Sequence, residues 1–430
     1  METTKKSKLT GRALLQFVVL CAGATSIYMP VFSRGTYYNA FIEGFGINDT
    51  QFGVLFSTYT LFTLLTYFPG GVVADKFSPR KLLTFSFIST ALLGFWQSTF
   101  PAYGAALFIY GAQGVTTTLT FWAALIKATR QFGQTMGGES KALGSLEGGR
   151  GLVGIVLSTV CVFTFGRFAA AAAGLRTVLW IYCSVLFLVG ILAWFVFSDK
   201  KTEEAAVAAQ SVPKLILECL RNPQVWVVSL MVFGAYAMTS TMGGYVTRIA
   251  TSNFGLTVQF AAIIPLISTY VRPLGSFGGG ILGDKLGATK TMIVGTLGLI
   301  IPAVIIIMLP KGEGLGLAIP FIVVYCIMTI FMGTVRGQFY APLRESGVPM
   351  YLSGTAVGLI ATIGYSPDLF LPIISGRLLD TMDQTAAFKI IIWVLVGFGA
   401  FSILMSSLML SMMKKKAAKT SETAEQKAAD

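Results

Sequence analysis

Apolar stretches long enough to cross a lipid bilayer follow one another along almost the whole chain of 430 residues. A bilayer core of about 30 Å is crossed by roughly 20 apolar residues in helical form. A helix suits this environment because it satisfies its own backbone hydrogen bonds without water. Twelve stretches have this length and predict an all-α membrane protein with twelve transmembrane helices: 14–38, 51–74, 82–100, 103–126, 142–166, 176–198, 224–246, 259–283, 291–310, 316–340, 355–378 and 386–413.

The scarcity of charge supports this interpretation. Only 12% of the residues are charged and 54% are hydrophobic, whereas a soluble domain carries roughly 25% charged residues. The chain has no histidine, and its five cysteines are scattered singly. This pattern argues against a disulfide framework or a zinc site. We therefore predict no metal and no cofactor.

The distribution of basic residues predicts how the chain is oriented. Of the 32 lysines and arginines, 22 fall in segments on the same side as the N-terminus, seven fall on the other side and three lie inside spans. Because basic residues accumulate in cytoplasmic loops, we expect both termini in the cytoplasm of a bacterial inner (plasma) membrane protein. The net charge of +13 does not indicate nucleic-acid binding, since the basic residues lie between apolar stretches and form no single face.

One long connection divides the chain. Residues 199–223 are charged and then helix-prone, and we interpret them as a cytoplasmic linker between two six-helix halves, residues 1–198 and 224–413. The final segment, 414–430, is polar and alanine-rich, a composition typical of a disordered tail.

The two halves share sequence motifs at matching positions. Phe45-Gly46-Ile47 precedes the second span, and Phe254-Gly255-Leu256 precedes the eighth, 209 positions later. At the same offset, the segment from Gly71 to Lys76 ends the second span and the segment from Gly280 to Lys285 ends the eighth. Parallel repeats of six spans are the organisation of one large class of transporters, with the substrate site at the repeat interface.

The motif after the second span, Gly-x-x-x-Asp-Arg/Lys-x-Gly-x-Arg/Lys-Arg/Lys, resembles the signature of the major facilitator superfamily. The first copy departs from it at Ser78-Pro79, and the second keeps Gly287 but has Thr289 where the first has Arg80. The resemblance covers essentially the whole chain. It implies two pseudo-symmetric six-helix bundles, transport by alternating access and no enzyme activity. The arginine placement and the Ser78-Pro79-Arg80 ending are similar to anion-porter branches of that family.

In this family the loop aspartate belongs to a charge network that holds the cytoplasmic side shut. The resemblance therefore implies gating roles at both copies of the motif: Gly71, Asp75, Lys76, Arg80, Lys81, Asp284 and Lys285. The alternative is a simple cluster of topology-determining charges. Glu147 and Arg150 are spaced to pair on one helix face near the cytoplasmic end, so we favour a structural or gating pair over substrate contact.

Ionisable residues inside spans are costly and mark functional sites. Arg272 lies 12 residues before Asp284, hence about 18 Å deep at the helical rise, and is a candidate for substrate contact or for a buried ion pair. Arg34 lies in the outer part of the first span, where substrate contact and outward snorkelling are both open. Arg336, in the tenth span, is equally open to substrate contact and a structural role.

Further candidates lie in the spans that would line a central cavity. Asp368 follows Pro367 in the eleventh span and is interpreted as the partner of an arginine, as a proton carrier or as a packing residue at a helix break. Four polar or aromatic residues are also candidate substrate-binding residues: Tyr28, Gln113, Trp122 and Tyr365.

Arginines inside spans favour an anionic substrate, because the guanidinium is a permanently charged, forked donor that matches carboxylate, phosphate or sulfonate oxygens. We therefore predict a secondary transporter for a small organic anion. The expected partners are the lipid bilayer, that anion, and a coupling proton or counter-anion; no nucleic acid is expected, and the chain is expected to be monomeric. Two alternatives are an exporter of drugs or neutral solutes and a non-transporting nutrient sensor. ATP does not drive the protein directly, because no GxxxxGK[ST] loop is present.

Overall fold

The computed structural model describes residues 11–136, 139–197, 212–349 and 352–429. Within these ranges nearly every residue is helical and no strand is present. The predicted all-α fold is confirmed.

The described part of the first half contains nine helices, an arrangement consistent with six crossings. The first crossing is divided into three helices and the fourth into two. In chain order they are α1 (Gly11–Ser26), α2 (Met29–Phe32), α3 (Arg34–Phe45), α4 (Asp49–Lys76), α5 (Pro79–Gln97), α6 (Tyr103–Thr118), α7 (Trp122–Met136), α8 (Glu139–Phe165) and α9 (Ala171–Val196).

The second half begins after a short helix, α10 (Val212–Arg221). Its eleventh crossing is interrupted by a 3-10 turn, Ser366–Leu369. The helices are α11 (Pro223–Phe254), α12 (Val258–Ala261), α13 (Ile263–Leu286), α14 (Ala288–Met308), α15 (Leu315–Gly337), α16 (Ala341–Glu345), α17 (Ser353–Gly364), α18 (Leu371–Thr381) and α19 (Gln384–Ala429).

Nine helical stretches of the described chain are long and apolar enough to cross a membrane. The predicted spans outside that set are 51–74, 82–100 and 103–126. They are helical too, but α4 and α5 carry many hydroxyl residues and α6 stops after Thr118. Several of these hydroxyls bond inside the protein, as between Ser86 and Thr120 at 2.6 Å and between Tyr59 and Thr117 at 3.1 Å. The lower hydropathy therefore reflects protein-facing polar groups, and the structure is consistent with twelve crossings.

The bundle has two ends. The first and last described helix termini lie at one end, here called the terminus end. The connections near residues 77, 197 and 347 lie at the same end. Arg12 Nε donates to the Val196 carbonyl at 3.4 Å, Lys127 Nζ to Ala74 at 2.9 Å and Lys416 Nζ to Gly347 at 3.5 Å. The opposite end, here called the far end, contains the connections near residues 47, 168, 256, 312 and 382.

The linker and the C-terminal segment differ in how far the structure describes them. Residues 198–211 of the linker region lie outside the described residues, whereas α10 is held to α11 by a 2.8 Å bond from Trp226 Nε1 to the Leu220 carbonyl. The last helix continues to Ala429, in contrast to the disordered tail that we predicted for 414–430. The cause lies in the abundance of Ala, Lys, Glu and Gln there, since all four favour helix.

Candidate functional site

The far end joins the two halves through a network centred on Arg248 of α11. Its guanidinium is ion-paired with Asp49 at 2.8 Å and donates to Asn39 Oδ1 at 3.0 Å. The Asn39 amide in turn donates to Thr251 Oγ1 at 2.8 Å. Asp49 and Asn39 belong to the first half and Arg248 and Thr251 to the second, so these bonds hold the halves together.

A second connection at the far end joins α4 and α18. The Asp380 carboxylate accepts the backbone N–H groups of Asp49 at 3.0 Å and Thr50 at 2.8 Å. It therefore caps a helix of the other half, where a carboxylate is favoured by the orphan N–H groups and the helix dipole. The backbones touch directly, because a Cβ on Gly53 or Gly376 would overlap a carbonyl of the opposite helix.

Toward the terminus end the halves separate. The hydrogen bonds between them are concentrated from the middle of the bundle to the far end, the middle being marked by Ser57 Oγ to the Asp368 carbonyl at 3.4 Å. At the terminus end, Gly71 and Gly280 are exposed, and a Cβ on either would have no neighbour within 4 Å. We interpret this arrangement as a central cavity that is closed at the far end and open at the terminus end.

Arg34 lies at the break between α2 and α3 and is only 4% exposed. Its Cζ is 3.5 Å from the centre of the Phe56 ring, a cation–π contact. On its other side is Gly244, where a Cβ would lie 2.8 Å from a guanidinium nitrogen. Outward snorkelling, one of the two alternatives from the sequence, is wrong, because the side chain is packed inside the bundle between α4 and α11.

Arg272 and Arg336 lie near one another on α13 and α15. Arg272 is exposed, and its backbone carbonyl packs against Gly333 of α15, so we interpret it as a residue that lines the open cavity. Arg336 is exposed as well and acts on Arg272 by charge repulsion. Within the described chain neither arginine forms an ion pair, so the buried ion pair considered for Arg272 is not found.

Asp368 lies in the 3-10 turn and is 3% exposed. Its two oxygens accept separate hydrogen bonds from the seventh crossing, Oδ2 from the Tyr236 hydroxyl at 2.6 Å and Oδ1 from Ser240 at 2.7 Å. Of the described cations, Arg34 and Arg336 are near enough to act on this carboxylate by charge, and neither forms an ion pair with it. The arginine partner that we considered thus acts at longer range, and hydroxyl groups make the direct contacts.

Tyr365 extends this polar surface. Its hydroxyl is 2.7 Å from that of Tyr340, and its ring centre is 4.5 Å from that of Tyr236. The sequence alone did not indicate Tyr236, Ser240 or Tyr340. Nothing distinguishes the two tyrosines from the other members of a set of 15. One signal was available: Tyr236 and Ser240 are spaced i, i+4 and so share a helix face.

The remaining predicted cavity residues fall in different places. Tyr28 is half-buried, with its ring edge-on to Phe121 at 5.9 Å. Trp122 is half-buried against the apolar core of the first half. Gln113 is fully buried and donates to Gln97 Oε1 at 2.9 Å. Its assignment to the cavity is wrong in this conformation, because the amide is used to satisfy a polar group between two helices of the same half.

A close helix approach occurs at Gly70, one residue before the motif glycine Gly71. A Cβ on Gly70 would lie 3.0 Å from the Thr118 carbonyl, and one on Gly279, the equivalent residue of the second half, would lie 2.8 Å from Thr334 Cα. Gly71 and Gly280 are instead exposed, and a Cβ on either would have no neighbour within 4 Å. The two halves therefore repeat not only the motif but also its packing.

The charged members of the loop motifs lie at the terminus end. Arg80 is over the Trp194 ring, with Cζ 4.1 Å from its centre. The side chain of Asp75 lies outside the described part of the structure. Four others are exposed to solvent there: Lys76, Lys81, Asp284 and Lys285.

The predicted pair on the fifth crossing is present. Arg150 Nη1 is 2.6 Å from Glu147 Oε1, and the side chains are 23% and 67% exposed. The pair lies on the open side of the bundle, on a single helix, and Arg150 also accepts a hydrogen bond through its carbonyl from Thr25 of the first crossing.

Comparison with known proteins identifies a family and several relatives that are similar to this chain. The family model described as Major Facilitator Superfamily matches residues 17–372. Inner membrane protein YqcE of Escherichia coli (strain K12) is 30% identical over 353 residues, which cover 80% of this chain and 82% of that protein. Inner membrane protein YihN of the same organism is 27% identical over 419 residues, 93% and 94% of the two chains.

A more distant relative and two solved structures extend the comparison. The probable nitrate/nitrite antiporter NarK1 of Thermus thermophilus is 25% identical over 351 residues, 76% of each chain. The nucleoside transporter NupG superposes with a TM-score of 0.71 at 14% identity, covering 94% of this chain and all of NupG. A bacterial homologue of the human lysosomal transporter Spinster gives 0.71 at 14% identity, covering 95% and 99%. At this identity the structures show the fold alone.

Proposed function

Because this chain belongs to the Major Facilitator Superfamily, a family of secondary transporters, we propose that the solute it moves across the membrane is a small organic anion. The candidates are carboxylates, sugar acids, sulfonates and phosphorylated metabolites.

The observation that carries this proposal is the excess of arginine over acid in the cavity. Three arginines approach the central region, Arg34, Arg272 and Arg336, and one acidic group, Asp368, lies near Arg34 and Arg336. A charged side chain at the centre of a membrane costs about 2.5 to 3.5 kcal/mol, and a like-charged neighbour adds to that cost. An anion held between Arg272 and Arg336 offsets both terms.

One of the relatives supports the same charge. The protein named as a probable nitrate/nitrite antiporter handles anions by its name, and it is similar to this chain over three quarters of its length. From this relative we infer only that the substrate of this chain is negatively charged, and not that it is nitrate.

The open end of the cavity is proposed to face the cytoplasm, since the terminus end carries most of the basic loop residues. The closed far end then faces outward, and the structure is an inward-facing state.

Residues 1–198 and 224–413 are proposed to move as two bodies around the substrate, connected by the linker 199–223. The free space beside Gly71 and Gly280 is where helices meet when this end closes, and the charges around Asp75 and Asp284 are proposed to stabilise that closed state. The coupling partner is a proton or a counter-anion.

The experiment is a binding screen of the purified full-length protein by thermal shift. Organic anions that contain carboxylate, sulfonate or phosphate groups are compared with neutral sugars, nucleosides and cationic drugs. We expect stabilisation by members of the anionic set and none by the others. Stabilisation by neutral solutes or drugs alone would instead support the exporter of drugs or neutral solutes.

A further inference from the structure

We infer that the anion carries hydroxyl groups beside its charged group, as aldonic and uronic sugar acids do, and that the Tyr236–Ser240–Asp368 cluster selects for them. The inference rests on the proposed anion transport, and it narrows the substrate class.

The starting point is that Asp368 is out of place in a site for a compact anion. Its carboxylate is close enough to Arg34 and Arg336 to act on both by charge. A compact anion without an O–H group, such as nitrate, is repelled by this carboxylate as it approaches the arginines, and it has no hydrogen to donate to the carboxylate or to its neighbours. Asp368 therefore weakens the binding of such an anion and contributes nothing in return.

The hydrogen-bond directions in the cluster indicate a function for the carboxylate. Tyr236 and Ser240 each have one hydroxyl proton, and each donates it to an oxygen of Asp368. A hydroxyl has one donor and two acceptor positions, so both are left as acceptors toward the cavity. Acceptors bind the O–H groups of a substrate and repel a bare anionic group.

The position of the cluster fits a substrate with two ends. Arg336 is close enough to Arg272, Tyr236 and Tyr340 to act on all three by charge. An anionic group bound by the two arginines therefore has the hydroxyl cluster as its neighbour. Tyr236 and Ser240 are only half-buried, so their oxygens are within reach of a ligand even though Asp368 itself is covered. Asp368 is thus a positioning residue that acts through the two hydroxyls.

A binding comparison with matched acids tests this. The probes are D-gluconate against hexanoate, and D-glucuronate and D-galacturonate against cyclohexanecarboxylate, with sorbitol and nitrate as controls, measured calorimetrically on the purified full-length protein. We expect at least one hydroxylated acid to bind about 10-fold or more tightly than its deoxygenated counterpart, the effect of one or two net hydrogen bonds. Equal binding of the members of every pair would overturn the inference while leaving anion binding intact.

Two substitutions separate the roles of the cluster and the arginines. Asp368→Asn keeps the shape but offers an amide N–H₂ to one of the two hydroxyls, which reverses its hydrogen bond, so the ratio of hydroxylated to deoxygenated binding should fall toward 1. Arg272→Ala should weaken both acids together and leave the ratio unchanged. Tyr236→Phe and Ser240→Ala repeat the test if Asp368→Asn does not fold, each lowering the ratio in part.

The outcomes distinguish this inference from the function on which it rests. A ratio that survives Asp368→Asn, Tyr236→Phe and Ser240→Ala would overturn the hydroxyl selectivity alone. Failure of every acid to bind, or binding of sorbitol as tight as that of gluconate, would overturn the anion function and the selectivity with it.

Discussion

The guanidinium of Arg272 lies near that of Arg336, without an ion pair to any described carboxylate. Replacing either residue therefore leaves no orphaned acid and relieves repulsion with the other. A loss of substrate binding in such a variant is then a direct measure of the arginine's contact with substrate, with little contribution from disrupted structure.

We expect Arg272→Ala to weaken binding of whichever organic anion the wild type binds by roughly 10- to 150-fold, since a hydrogen-bonded charge contact contributes about 1.5 to 3 kcal/mol. Arg272→Lys keeps the charge but loses the fork, so it should fall between wild type and Ala. Titration calorimetry measures the series, and Arg167→Ala, an exposed arginine at the far end, is the control. Wild-type affinity in Arg272→Ala would show that the arginine is structural.

The packing of Arg34 allows a second test with a neighbouring control. A methyl group at Gly244 would lie 2.8 Å from the guanidinium, whereas one at Gly243 would meet nothing within 4 Å. Gly244→Ala should displace the end of a flexible side chain, which changes stability little but moves the charge, so substrate binding should weaken several-fold. Gly243→Ala should bind like the wild type. Equal affinities of the two variants in a binding titration would exclude a role of Arg34 at its present position.

At the scale of elements, the closed far end depends on contacts between α4 and α18 and between α11 and the first crossing. Asp380 makes two charge-assisted hydrogen bonds to the first turn of α4. Loss of a helix cap is destabilising by about 1 kcal/mol. Here only the conformation with a closed far end is destabilised, because the cap joins the two halves there. Removing the carboxylate should therefore shift the population toward an open far end.

The measurement uses Thr247→Cys in a background without the native cysteines. Thr247 is 2% exposed and donates to the Gly35 carbonyl across the halves at 3.1 Å, so a maleimide reaches a cysteine there only when the far end opens. Asp380→Ala should raise the labelling rate by about 5-fold, the factor for 1 kcal/mol. Asp383→Ala is the control, because Asp383 caps its own helix through the Ala386 N–H at 3.1 Å. Equal labelling in the two variants would contradict the role of Asp380.

On the scale of the whole molecule, both described chain ends lie at the open end of the cavity, together with most of the basic loops. The distribution of 22 basic residues against seven predicts that this end faces the cytoplasm. Reporter enzymes fused to each terminus, one active only in the cytoplasm and one only in the periplasm, would measure it. A periplasmic signal from either terminus would reverse the orientation and make the present structure outward-facing.

The sequence by itself determined the all-α membrane fold and the repeated loop motif. The length and apolar content of a span are imposed by the bilayer, so they can be found in a local window of sequence. The loop motifs likewise give the boundary between the second and third crossings and its counterpart in the second half. Asp368 beside Pro367 was expected at a helix break, and the 3-10 turn occurs at that position.

Only the tertiary structure decided which polar groups meet. Tyr236 and Ser240 reach Asp368 from residues 132 and 128 positions away, and Arg248 reaches Asp49 from 199. Gln113 is used inside the first half, and Arg34 is turned inward onto Phe56. The physical reason is that spans covered by lipid on one side and by apolar protein on the other are hydrophobic all round. Their sequence periodicity does not mark the inner face, which is chosen by packing against helices far away in the chain.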